Sequence, residues 1–101
     1  SEATAQSEPQ IALISPRTNT SYRLDPAFDL SAQQILVEAV ADAGISQITL
    51  WVDGVQLAVL AASPYQAFWQ LSVGEHRFWA TGVTASGGIV TSETILVTVV
   101  N

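Results

Sequence analysis

The chain has 101 residues, 49% of them hydrophobic and 12% charged, which fits one globular domain with a core of its own. Nine acidic residues against three arginines and no lysine give a net charge of −6, which excludes nucleic-acid binding because phosphate neutralisation needs a basic stripe. The lack of cysteine excludes disulfides and thiolate metal sites, and no apolar run approaches the roughly 20 residues that direct membrane insertion requires.

The first ten residues form a polar segment that contains Pro9 and, apart from two alanines, no apolar side chain. Such a segment cannot bury enough apolar surface to offset the entropy of ordering it. We therefore expect residues 1–10 to be a flexible linker and residues 11–101 to be the folded domain.

Short segments of strand character follow the linker. In each of them apolar and polar residues alternate, and Gly, Pro, Asp and Ser separate one segment from the next. The predicted strands are Ile11–Ser15, 21–24, Gln34–Ala41, 47–52, Val55–Leu60, 66–71, 76–84 and 90–100. The second is too short to count, which leaves about seven. Residues 25–33 contain a proline and two aspartates and are predicted to be a loop with one helical turn at most.

The clearest motif is ITLWVDGVQL at residues 48–57, where two alternating apolar runs are joined by Asp53 and Gly54. An Asp-Gly pair supplies the positive φ angles that a two-residue type I′ turn requires, so the motif predicts a β-hairpin. Two layers of such strands, each burying one face against the other, form a sandwich. The predicted fold is therefore all-β, an immunoglobulin-like β-sandwich of two antiparallel sheets.

The alternation also assigns a face to each aromatic side chain. Ile48, Leu50 and Val52 point inward, which turns Trp51 outward. In the strand 76–84 the inward residues are Phe78, Ala80 and Gly82, with Trp79 outward; in the last strand Ile95, Val97 and Val99 point inward and Leu96 outward. Tyr65 and Trp69 are expected in the core, and Phe68 on the outside of the opposite sheet.

Two outward tryptophans are the best functional signal in the sequence. If their strands are neighbours, Trp51 and Trp79 lie side by side on one outer face, and Leu96 flanks them. The pair then serves as a docking patch for a partner domain or as a stacking platform for sugar rings. The alternatives are that a bulge turns one tryptophan into the core or that the pair only stabilises the sheet.

Catalytic and metal-binding constellations are weak by comparison. His76 is the only histidine, no Gly-x-Ser-x-Gly motif presents a serine to it, and its ring is expected to bond the turn at residues 72–75. One histidine without cysteine does not make a zinc site, and Asp25, Asp29, Asp42 and Asp53 lack the dense spacing of a calcium loop. We expect no catalytic residue, no metal and no cofactor.

Several motifs taken together resemble a known family. They are ISPRTNTSYRLD at 14–25, ITLWVDG at 48–54, WQL at 69–71, GEHRFWATG at 74–82, the turn at Ser86-Gly87 and TILVTV at 94–99. In this order they resemble the immunoglobulin-like domain at the C-terminus of C-type bifunctional penicillin-binding proteins, which are peptidoglycan glycosyltransferase–transpeptidases. The resemblance covers about residues 11–99, and related bacterial modules on secreted glycosidases, proteases and adhesins share part of the pattern.

This resemblance implies an accessory role. Transpeptidases of this kind need a Ser-x-x-Lys nucleophile and a Lys-Thr-Gly strand, and the chain has no lysine. The implied function is a non-enzymatic binding or positioning module in peptidoglycan synthesis, extracytoplasmic and part of a larger, membrane-anchored protein. Its partners would be the catalytic domain of that protein, another cell-envelope protein or the peptidoglycan glycan. The alternative is a carbohydrate-binding or spacer module of a secreted glycosidase, protease or adhesin.

Overall fold

The computed structural model describes residues 10–29 and 32–101, which form nine β-strands in two sheets and contain no helix. The strands are β1 (Ile11–Ser15), β2 (Thr20–Arg23), β3 (Gln34–Ala41), β4 (Ile45–Val52), β5 (Val55–Leu60), β6 (Tyr65–Gln70), β7 (Gly74–Thr84), β8 (Ile89–Thr91) and β9 (Ile95–Val100). The predicted all-β sandwich is confirmed. Apart from Gln10, the predicted linker lies outside the described residues.

The two sheets differ in size and in strand direction. The smaller has the order β1-β3-β6 and is antiparallel throughout. The larger has the order β2-β9-β7-β4-β5, with β8 also paired to β7, and in it β2 runs parallel to β9. The expectation of two antiparallel sheets is therefore wrong for this strand pair. The physical reason is that residues 16–19 carry the chain from one sheet to the other, whereas a hairpin would keep β2 beside β1.

The core lies between the sheets and is built from the side chains that alternation assigned inward. Phe78, Ile48, Leu50, Val37, Val97 and Val99 are the largest side chains that are fully buried. Burying one such side chain contributes about 1.5–3 kcal/mol. The inward assignments on β4, β7 and β9 are confirmed, and Val37 and Ala39 of β3 are buried as well.

The β4–β5 hairpin has the predicted turn. Val52 pairs with Val55, so Asp53 and Gly54 are the only residues between the strands, with φ angles of 53° and 85°. Two consecutive positive φ values define a type I′ turn, whose twist matches that of the flanking strands. The turn projects the Asp53 carboxyl toward β7, the neighbour of β4 on its other side.

The prediction of a single strand over residues 90–100 is wrong, because the chain breaks there into β8 and β9. Thr91 of β8 pairs with Thr81, and Ile95 of β9 pairs with Phe78. The chain therefore advances four residues, from 91 to 95, along the same length over which β7 advances three, from 81 to 78. One extra residue must therefore be accommodated, as in a β-bulge.

Ser92 stabilises this break. It is the one buried polar side chain among the described residues, and its Oγ accepts a hydrogen bond from the Ala80 N–H at 2.9 Å. The same hydroxyl donates to the Glu93 carbonyl at 3.0 Å. The hydroxyl thus pairs a backbone N–H of β7 that the interrupted strand would otherwise leave unpaired.

Candidate functional site

Trp51 and Trp79 lie side by side on the outer face of the larger sheet, as the alternation predicted. They are direct register partners on β4 and β7. Their ring centroids are 6.3 Å apart and the ring planes differ by 8°. Both side chains are half-buried, so each ring leans on the sheet and leaves part of its surface to solvent. The two indoles are therefore nearly parallel neighbours on one face of the sheet.

A hydrogen bond fixes the orientation of one indole. The Nε1–H of Trp51 donates to Oγ1 of Thr81 at 2.9 Å, and Thr81 lies two residues from Trp79 on the same face of β7. Indole has no other hydrogen-bonding group. A partner that approaches Trp51 therefore meets an oriented apolar ring whose one polar group is already hydrogen-bonded.

Polar, uncharged side chains border the tryptophan pair on one side. Thr49 pairs with Thr81, which in turn pairs with Thr91 on β8, so three hydroxyls form a row across the sheet. Gln56 of β5 is the register partner of Trp51 on its other side. The pair thus lies beside groups that both donate and accept hydrogen bonds.

Leu96 lies on the opposite side of the pair. It is half-buried on the outer face of β9 and pairs with Arg77, the outward residue that precedes Trp79 on β7. The structure therefore brings the three predicted contact residues to one face, which we call the tryptophan face (Trp51, Trp79 and Leu96). Their role in binding stays a prediction.

A second cluster lies on the inner side of the same sheet and contains His76. Its Nδ1 is 2.6 Å from Oδ2 of Asp53, and its Nε2 is 2.7 Å from the carbonyl oxygen of Ser72. Both partners are acceptors, so only a ring protonated on both nitrogens donates both bonds. The contact with Ser72 agrees with the expected bond to the turn at 72–75, whereas the contact with Asp53 was not predicted.

Asp53 is held by two donors. Oδ1 accepts the Arg77 backbone N–H at 2.9 Å while Oδ2 bonds His76. Partial burial raises the pKa of the Asp53 carboxyl, but the His76 and Arg77 hydrogen bonds and the charges of those two side chains outweigh it and hold the pKa below its ordinary value. The contact follows from the register of the sheet and not from a local sequence signal: Val52 pairs with Phe78, so the following turn lies beside the preceding residues of β7.

Aromatic packing joins this inner cluster to the smaller sheet. Trp69 of β6 meets His76 at a centroid distance of 4.7 Å and Phe78 at 5.1 Å, in both cases edge to face. Trp69 and Tyr65 are half-buried and pack against the core, and Phe68 is 63% exposed on the outside, as expected. We call Trp69, His76 and Phe78 the inner cluster.

The inner cluster lacks the geometry of a hydrolase. An Asp–His pair is two thirds of a Ser-His-Asp triad, but here Nε2 faces a backbone carbonyl where a triad has a serine hydroxyl. Within residues 10–29 and 32–101, no three His, Cys, Asp or Glu side chains lie close enough together to hold a metal ion. Over the same residues, no helix is long and apolar enough to cross a membrane.

Comparison with solved structures identifies the class of fold. The chain superimposes on a structure described as "Structures of Clostridium thermocellum CbhA fibronectin(III)-like modules" with a TM-score of 0.76, covering 90% of this chain and 96% of that one. The identity is 17%, so the likeness concerns the fold, a fibronectin III-like β-sandwich. Comparison with curated proteins finds no match.

The family is identified by a sequence model. Residues 1–91 match the Penicillin-Binding Protein C-terminus Family, and the chain belongs to this family. The resemblance to the C-terminus of bifunctional penicillin-binding proteins is thereby confirmed. Membership implies a cell-envelope, extracytoplasmic role in the context of peptidoglycan.

Proposed function

We propose that the chain is a non-catalytic accessory module of a membrane-anchored, peptidoglycan-synthesising penicillin-binding protein, and that it binds and positions a partner through the tryptophan face. Family membership supports the context. The absence of lysine supports the non-catalytic role, since the Ser-x-x-Lys and Lys-Thr-Gly motifs of transpeptidases both require it. The bonding of both His76 nitrogens supports it as well, because neither ring nitrogen is free to act as a catalytic base.

The stacked pair of half-buried tryptophans on an outer sheet face is the observation that carries this proposal. Large apolar side chains on the outer face of a sheet leave apolar surface in water, and covering that surface contributes roughly 25 cal/mol per Å². Tryptophan and arginine are enriched among the residues that dominate binding energies, and Arg77 lies beside Leu96 at the edge of the face. The catalytic domain of the same protein, another envelope protein and a glycan are the candidate partners.

A spacer or a carbohydrate-binding module of a secreted hydrolase is the alternative function. A spacer needs only the fold, and replacing outer-face side chains would then leave every association of the protein unchanged. The likeness to the CbhA modules concerns the fold and does not favour either function.

The test compares two outer faces in the full-length penicillin-binding protein. The double variant Trp51→Ala/Trp79→Ala removes the stacked pair, and Phe68→Ala removes an exposed aromatic residue from the other sheet. We expect the double variant to weaken association of this module with the catalytic domain about tenfold or more and to lower peptidoglycan synthesis, while Phe68→Ala changes neither. The double variant must be folded at the temperature of the assay. If its association with the catalytic domain and its peptidoglycan synthesis are then unchanged, the spacer function is favoured.

A further inference from the structure

We infer that the tryptophan face binds the pyranose rings of a glycan strand, with Trp51 and Trp79 as the stacking platform. This inference rests on the proposed function and names its ligand class. The observations that carry it are the nearly parallel planes of the two indoles, the fixed orientation of Trp51, and the hydroxyl and amide groups beside them.

The shape of a sugar ring suits the surface of an indole. A pyranose ring presents C–H groups on its faces and hydroxyl groups around its rim, so its apolar part is a flat disc. The two indole planes differ by only 8° and sit on directly paired residues of adjacent strands. The faces of indole carry negative partial charge, which attracts the slightly positive C–H groups of a sugar. A flat apolar disc on a flat aromatic surface gives large contact without a pocket.

The two indoles are already ordered before a ligand binds. Trp51 is held by its Nε1–H bond to Thr81 and by stacking against Trp79. Because both rings are half-buried against the sheet, little side-chain entropy remains to be lost when a ligand stacks on them. A sugar binds weakly per ring, so a platform that is already ordered is the arrangement that suits it.

Polar side chains lie beside the two tryptophans. Thr49, Thr81 and Thr91 form a hydroxyl row on one side, Gln56 adds an amide beside Trp51, and Arg77 adds a guanidinium near Leu96. Sugar hydroxyls both donate and accept, and hydroxyl and amide side chains do the same. The nearest outward carboxylate on β7 is that of Glu75, two residues beyond Arg77 and four from Trp79.

The geometry of the tryptophan face favours a glycan over a protein as the ligand. Protein hot spots are anchors that enter a pocket on the partner and are surrounded by contacts that exclude water. On the tryptophan face each indole is half-buried beside the hydroxyl row and Gln56, so neither ring projects from the sheet as such an anchor does. The overall charge of −6 also disfavours an acidic ligand and leaves a neutral sugar unaffected.

The experiment titrates the 101-residue chain with two neutral probes, N-acetylchitotetraose and cellotetraose, and follows the indole N–H signals of its three tryptophans by NMR. We expect saturable shifts of the Trp51 and Trp79 signals, while Trp69, which packs in the core, serves as the internal reference. Tighter binding of the N-acetylated probe would identify an amino-sugar strand as the ligand, and equal binding would identify a platform for pyranose rings in general. Both results support the inference.

Matched variants make the test specific. Trp79→Ala should weaken the binding about tenfold, Trp79→Phe should retain most of it because a flat ring remains, and Phe68→Ala should leave it unchanged. The inference is overturned if millimolar concentrations of both probes leave the Trp51 and Trp79 signals in place. It is equally overturned if Phe68→Ala weakens binding as much as Trp79→Ala, since the contact would then be unspecific.

The two proposals fail separately. If neither glycan shifts the Trp51 and Trp79 signals but Trp51→Ala/Trp79→Ala still weakens association with the catalytic domain, the proposed function stands and the glycan inference is wrong. If glycan binding depends on the two tryptophans while association with the catalytic domain does not, the ligand is the glycan and a protein partner at this face is excluded.

Discussion

The larger sheet has an aromatic cluster on each of its faces, and the two are built differently. Inside, Trp69 meets Phe78 with perpendicular rings at 5.1 Å. Outside, Trp51 and Trp79 have parallel rings at 6.3 Å. Phe78 and Trp79 are neighbours in sequence, so the same strand supplies one ring to each cluster.

The ring geometry indicates which aromatic cluster stabilises the fold and which is accessible to a ligand. An edge-to-face contact directs the edge of one ring at the face of another, and in the inner cluster Phe78 is left with no exposed surface. The parallel rings of Trp51 and Trp79 are only half-buried, so both keep part of their surface in contact with solvent. We therefore expect the inner cluster to determine stability and the tryptophan face to determine binding, and each prediction below tests that division.

The largest expected effect is on stability. Phe78→Ala removes a fully buried ring at the contact between the sheets and should lower the free energy of unfolding by about 3–5 kcal/mol, through lost burial and the cavity left behind. Urea denaturation measures it. Phe68→Ala, at a position that is 63% exposed, should change it by less than about 0.5 kcal/mol. Similar losses for the two variants would contradict the assignment of Phe78 to the core.

An intermediate effect is expected for Trp79→Ala. The stacked pair contributes roughly 0.5–1.5 kcal/mol beyond burial, and truncation also loses the buried part of the Trp79 ring, so stability should fall by about 2 kcal/mol and the thermal midpoint by about ten degrees. Glycan binding should weaken about tenfold in the same variant, while Phe78→Leu, which keeps the core apolar, retains it. A Trp79→Ala chain as unstable as Phe78→Ala would show that the outer pair is structural and would abolish the contrast between the faces.

Alternation in the sequence was enough to predict the faces of both clusters. Successive side chains of a strand point to opposite faces, and this alternation is a local property of the strand. Because Ile48, Leu50 and Val52 point inward, Trp51 points outward. Trp79 points outward for the same reason, since Phe78 and Ala80 point inward. The Asp53-Gly54 turn was equally local, since the residue types themselves favour positive φ.

Features that depend on a second strand were missed. The break at Ser92 exists because β7 pairs with two separate segments, although a shift in apolar parity from Val90 to Ile95 marks it in the sequence. The parallel position of β2 depends on its partner, β9, far along the chain. The Asp53–His76 contact joins residues 23 apart and required the register of β4 against β7.

The smallest expected effect concerns the polar edge of the inner cluster. Because the pKa of Asp53 is lower in the folded chain than its ordinary value of 3.8, the folded state favours the carboxylate. Its contribution to stability is complete above the ordinary pKa and is lost as the pH falls through the lowered folded value. The Asp53 side chain is 43% exposed, so solvent screening limits the contribution to about 1 kcal/mol or less.

Asp53→Asn retains an acceptor for the Arg77 N–H but removes the charge that faces His76. Its unfolding free energy should lie slightly below that of the unchanged chain at neutral pH, and the gap should close at an acid pH below the lowered pKa of Asp53, where the Asp53 carboxyl is as uncharged as the amide that replaces it. Urea titrations at the two pH values measure the gap, and Asp42→Asn is the matched control because the Asp42 carboxyl accepts a backbone N–H from Gln10 and lies outside the inner cluster. A gap of equal size at both pH values would mean that the amide disturbs the turn itself. In neither variant should the Trp51 and Trp79 signals lose their response to glycan, since the inner cluster and the tryptophan face lie on opposite sides of the sheet.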